Sequence, residues 1–336
     1  MGQRAAVLSA TLSPRHRRLA PLDRIESVGV RQPAAEIDWD TPIDRSRWFF
    51  CETLTPLYYT PTYATLTPEQ RRRYNQLTGM LSNELILRLE TGFLDTALDA
   101  VVRRGGRSGG DDLIEALRRF RDDEQRHADG WRRLNRLSEP EWYRTGHRRL
   151  VHVPAALDLV SQALARYPFA CPVVFWIQLV QEERSIEISR RCVRMSRDLI
   201  EPRYAAVYGE HLRDEVRHVQ LDCHLIERFH ASQPLAMRRV TAALFRWVVA
   251  NVFLTPSRST VRVVQALVAE HPELHKLRPT MVCELRALTG NAEYQQMMYS
   301  RRTTPITFAL FDRFSEFHSM SQVLRAYTPA VAGSHR

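Results

Sequence analysis

Asp123-Glu124-Gln125-Arg126-His127 and Asp214-Glu215-Val216-Arg217-His218 are two copies of one pattern, Asp-Glu-x-Arg-His, in a chain of 336 residues. Each copy stands in a segment with helical periodicity, where residues three apart share a face. Glu124 and His127 therefore point the same way, and so do Glu215 and His218. A carboxylate and an imidazole offered from each of two helices make the donor set of a metal cage. One Glu-x-x-His on a helix is usually a surface pair. Two copies, each with Asp directly before the Glu, are not what surface pairing predicts.

Working outward, helical signals cover almost the whole chain. Thr67-Pro68-Glu69-Gln70 supplies a cap, a proline at the first helical position and a glutamine at the reciprocal capping position, and the pattern it starts runs to Arg104. Gly105-Gly106-Arg107-Ser108-Gly109-Gly110 stops it; Asp111 and Asp112 open the helix that carries the first motif and ends near Pro140. Further helices are expected over 153–167, 171–194, 199–231, 234–253, 258–271 and 275–289, with a last helical piece near 305–325. Strand signals are sparse, so the expectation is an all-α bundle. Residues 1–45, with Pro14, Pro21, Pro33 and Pro42, read as an irregular arm, and 46–330 as a single helical domain.

A cage between helices needs one further carboxylate on the helix before each motif helix. In the first half Glu90 is the candidate, because Leu87, Leu89 and Phe93 surround it and a charge there needs a partner or a metal; Glu84, beside Ser82 and Asn83, competes. In the second half Val173 to Glu183 is an apolar run ending in two carboxylates. Glu183 continues the stripe of Trp176, Leu179, Val180 and Ile186, whereas Glu182 lies about 100° around the axis, so Glu183 is the expected ligand. His211, four before Glu215 and seven before His218, adds a third imidazole to that face, while His224 and His230 lie off it. The metal-ligand set is thus Glu90, Glu124, His127, Glu183, His211, Glu215 and His218. A mixed oxygen and nitrogen set of this kind suits iron or manganese better than zinc or magnesium. Asp123 and Asp214 are expected to hold the second ring nitrogens of the histidines, and Arg126 and Arg217 to be ion-pair partners.

Composition narrows the classes. Hydrophobic residues make up 44% and charged residues 26%, a globular balance, with a formal net charge of +10. Lys276 is the only lysine and the arginines are spread along helices without interleaved aromatics, which speaks against nucleic acid. Five cysteines without paired spacing indicate neither a disulfide framework nor a zinc ribbon and fit a reducing cytoplasm. No signal-peptide run opens the sequence, and no stretch is read as a membrane span.

Paired Glu and Asp-Glu-x-x-His halves resemble the ferritin-like di-iron family. His211-Leu212-Arg213-Asp214-Glu215, and Leu77-Thr78-Gly79-Met80 with Asn83-Glu84 leading into Glu90, are similar to the arylamine N-oxygenases of antibiotic biosynthesis, the p-aminobenzoate and chloramphenicol-precursor types. The resemblance covers about residues 65 to 230. It implies a ferritin-like bundle with a di-iron centre, two iron ions and O2 as co-substrate, an unidentified electron donor, and a homodimer that oxidises an amine to hydroxylamine, nitroso or nitro product. The p-aminobenzoate type places an arginine five residues before its first ligand Glu; here that position is Leu85, which implies a neutral amine in place of a benzoate. Two other readings share the cage. One is a di-iron hydroxylase or desaturase acting on a carrier-bound substrate; the other is an iron-storage protein.

Overall fold

The computed structural model describes residues 37–105, 112–254 and 258–330. Most of the expected N-terminal arm and most of the Gly-rich stop lie outside these residues. After the short helix Pro61–Thr65 (α1), the capping box forms as its sequence predicts: Thr67 Oγ1 accepts from Gln70 N, and Gln70 Oε1 accepts from Thr67 N at 2.9 Å. It starts α2, Pro68–Arg88, which continues through a π-helical turn, Leu89–Leu94, into α3, Asp95–Gly105. The first motif is on α4, Asp112–Ser138. Then come α5, Ala155–Arg166; α6, Val173–Val193; and α7, Pro202–Leu225, which carries the second motif. The remaining helices are α8, Leu235–Val248; α9, Arg258–Glu270; α10, Arg278–Ala287; α11, Ala292–Met298; and α12, Pro305–Arg313. There are no strands among the described residues, and the fold is an all-α bundle of ferritin-like type.

Four long helices make the part that matters for function. α6 packs along α7, α7 against α4, and α4 against α2. Each buries a broad apolar face because large residues recur at helical spacing, Leu113, Leu117 and Phe120 on α4 for example. The buried apolar residues fall into two clusters, one holding Phe120, Trp176 and Val219, the other Trp131, Tyr204 and Tyr208. Between Phe120 and Trp131 on α4, and between Tyr208 and Val219 on α7, the buried positions turn polar. Two apolar blocks thus clamp a polar layer.

Leu235–Glu270, taken as one stretch, is by length and composition long and apolar enough to cross a membrane, although only 40% of its most apolar window is buried. Phe245, Val263, Val264 and Leu267 pack into the core, so burial explains much of its apolarity.

Candidate metal centre

The i, i+3 spacing on α4 and α7 places Glu124, His127, Glu215 and His218 in one buried group, and Glu90 and His211 join His127 in a second. Glu215 is the hub. Its Oε1 lies 2.9 Å from His211 Nε2, 3.5 Å from His218 Nδ1 and 3.6 Å from His127 Nδ1. Glu124 Oε1 is 2.9 Å from His218 Nδ1 and 3.9 Å from His127 Nδ1, and Glu90 Oε1 is 3.3 Å from His211 Nε2. All six side chains are nearly or wholly excluded from solvent.

The remaining motif letters form a ring around this group. Asp214 Oδ2 accepts from His127 Nε2 at 3.1 Å, and Asp123 Oδ2 from His218 Nε2 at 3.4 Å, so the Asp of each motif holds the His of the other. Arg126 donates to Asp123 at 2.6 Å and to Asp214 at 3.1 Å; Arg217 donates to both as well. With its proton on Nε2, each imidazole turns a bare Nδ1 toward the carboxylates, the tautomer a metal ligand needs. His211 is set the opposite way: Ser189 Oγ lies 3.3 Å from its Nδ1, which leaves Nε2 facing inward. Burial works against the Asp123 charge, but His218 and the two guanidiniums hold its carboxyl well below the usual range.

The glutamates on the preceding helices divide differently from expectation. Glu90 reaches the group from the π turn. Glu84, its competitor, is buried but occupied elsewhere: its oxygens accept from Tyr143 Oη and from the backbone N–H groups of Arg149, Leu150 and Val151 at 2.7 to 3.0 Å. Glu183 is not brought to the group. Its oxygens accept from Ile306 N and Thr307 N, 2.7 Å each, at the N-terminal end of α12, where a carboxylate satisfies otherwise orphaned N–H groups. The apolar stripe used to choose it points at the C-terminal segment.

A different stripe of α6 touches the cage through Ser189. Ser189, which touches His211, shares its helix face with Ser185, Glu182 and Gln178 at spacings of four, three and four. The facing residues of α7, His211, Glu215, His218 and Asp222, have the same spacings in the opposite direction. Glu182, 4% exposed, is by this register the α6 carboxylate nearest the level of His218, although it is not among the residues that form the two buried groups. Sequence reasoning weighed Glu182 without this signal, because Ser185 and Ser189 draw no notice in an apolar helix. Leu85 also departs from expectation: it is 46% exposed on α2, and Arg88 is paired with Asp158. The structure therefore does not bring Leu85 to the buried group beside Glu90.

The donor set fits a cationic group. Both oxygens of Glu124 and of Glu215, Glu90 Oε2, and Nδ1 of His127 and of His218 are buried without a hydrogen-bond partner. Burial, followed by the nearby charges of Glu124 and Glu215, pushes the Glu90 carboxyl well above its ordinary value. Burial and the two other imidazoles push His211 well below its own. Clustered carboxylates with bare nitrogens between them are costly alone and are relieved by metal ions, which supply the charge that the acids repel one another without.

A family model described as p-aminobenzoate N-oxygenase AurF matches residues 16–273 of the chain. A search of the curated proteins finds no match. The matched span contains both motifs, Glu90, Glu182, Glu183 and His211.

Proposed function

The chain belongs to the p-aminobenzoate N-oxygenase family AurF, an oxidoreductase family, and from that premise we propose that it uses two iron ions and O2 to oxygenate the nitrogen of an arylamine. The proposed ligands are Glu90, Glu124, His127, His211, Glu215 and His218, with Glu182 in place of Glu183 as the carboxylate from α6. The observation that carries the reading is the closed double motif: two buried Glu-x-x-His pairs cross-braced by each other's aspartates, with a third imidazole beside Glu215. Iron bound there would supply the redox chemistry that joins oxygen to nitrogen. The chain's own residues do the rest. Asp123 and Asp214 fix the imidazole tautomers, and Ser189 orients His211. The apolar clusters on either side keep water from the polar layer. We further propose that residues 46–330 act as one catalytic unit in a cytoplasmic homodimer, that an external donor supplies electrons, and that the product enters antibiotic biosynthesis.

Aerobic incubation of reduced, iron-loaded protein with a panel of arylamines, read by mass spectrometry, tests the proposal. Hydroxylamino, nitroso or nitro products that depend on O2 are expected. Iron-loaded protein that leaves every arylamine unchanged, while hydroxylating a carrier-bound chain, contradicts it.

A further inference from the structure

One level of the bundle beside the cage holds buried polar groups that no described residue satisfies. Asp222 is fully buried, and neither carboxylate oxygen has a hydrogen-bond partner; Gln178 is fully buried, and neither its carbonyl oxygen nor its amide nitrogen has one. Placed in a packed core, such groups carry a desolvation cost that nothing in the chain offsets.

Helix register puts the two at the same level of the packed helices α6 and α7. Ser189 and His211 are in contact. From Ser189 back to Gln178 along α6, and from His211 on to Asp222 along α7, is about three turns of helix each. Gln178 and Asp222 therefore close the two facing polar stripes at the same end, one turn beyond His218. Asp222 follows His218 by one turn on the same helix, and the charges of His218, Glu215, Glu124 and Glu183 all reach it. The Phe120 ring, one turn before Glu124, stacks on the His218 imidazole with centroids 3.8 Å apart and adds an aromatic wall.

We propose that Asp222 and Gln178 are the recognition site for the substrate's amino group. The Asp222 carboxylate and the Gln178 carbonyl each accept one N–H of a primary amine, and Phe120 borders the aryl ring. The nitrogen is thereby held one helical turn from the carboxylate and imidazole cage. This rests on the N-oxygenase reading and adds recognition residues to it: a primary amine meets both acceptors, and a secondary or tertiary amine leaves one or both unmet.

The test is anaerobic binding of aniline and of its isostere toluene to the iron-loaded protein, measured by calorimetry with no turnover possible. The wild-type protein is expected to prefer aniline by at least about tenfold. Asp222→Leu and Gln178→Leu should bring the ratio close to one while iron content and helical circular dichroism stay unchanged, and Asp222→Asn, which keeps an acceptor, should retain part of the preference. Should Asp222→Leu fail to fold, Gln178→Leu and Asp222→Asn decide the matter by the same ratio. Equal binding of the two probes by wild type, binding of neither, or a full preference surviving in the Leu variants overturns the assignment. Aniline preferred but never N-oxygenated under O2 leaves the recognition site standing and defeats the proposed reaction.

Discussion

The two halves of the cage offer the same Glu-x-x-His pair from helices built differently. In the first half the upstream carboxylate, Glu90, arrives on a π turn inserted between α2 and α3. In the second half α6 and α7 are regular across the cage, and two polar stripes run face to face along them. Each half also contains a buried glutamate that mimics a ligand in the sequence. Glu84 holds the 149–151 backbone, and Glu183 holds the start of α12. A buried carboxylate is thus equally well explained by backbone N–H groups as by a metal, and the two roles separate only through helix phase. A π turn shifts that phase by about one residue, roughly 100°, and Glu90 lies within one.

The comparison breaks first at its shared hub. Glu215 stands next to all three imidazoles, so Glu215→Ala is expected to leave iron well below two per chain and to abolish amine oxidation. Iron analysis with unchanged content would remove Glu215 from the ligand set. A smaller loss separates Glu182 from Glu183. Glu182→Gln should lower iron content with little change in melting temperature. Glu183→Ala should do the reverse, retaining iron but costing about 2–3 kcal/mol of stability by orphaning two N–H groups at α12. Thermal unfolding alongside metal analysis reads both, and the opposite pattern restores Glu183 as the ligand.

Next come the aspartates that tie the halves together. Asp123→Asn and Asp214→Asn should each weaken iron binding about 10- to 100-fold, the usual effect of losing the carboxylate behind a histidine ligand, and similar losses are expected because each Asp serves the other half. A chelator competition series measures this; an effect from only one of the two would show that the bracing is one-sided. The smallest effect is expected at Leu85. Because that side chain faces solvent, Leu85→Arg should change the ratio of p-aminobenzoate to neutral arylamine turnover less than about twofold, within the usual range for a surface substitution. A large swing toward p-aminobenzoate would mean that the exposed face of α2 meets substrate after all.

Much of this was legible in the sequence, for a physical reason. The Asp-Glu-x-Arg-His letters act over one helical turn, so spacing alone placed Glu124, His127, His211, Glu215 and His218 together, and the capping box at Thr67 and the helices of both halves followed from equally local signals. Glu90 stands among apolar neighbours and Glu84 beside polar ones, and the structure brings Glu90 and not Glu84 into the buried groups. The same apolar setting misled at Glu183, where both faces of α6 are buried and the apolar stripe leads to a C-terminal helix more than a hundred residues away in sequence. Long-range packing of that kind and the π turn leave no trace in local periodicity.

The central claim, that the two halves close around a pair of metal ions, is tested most directly by counting them. Protein stripped of metal, reloaded anaerobically with ferrous iron and freed of excess should hold two irons per chain, and Glu215→Ala treated identically should hold far fewer. A wild-type chain that retains none or one, or a variant that retains as much as wild type, contradicts it.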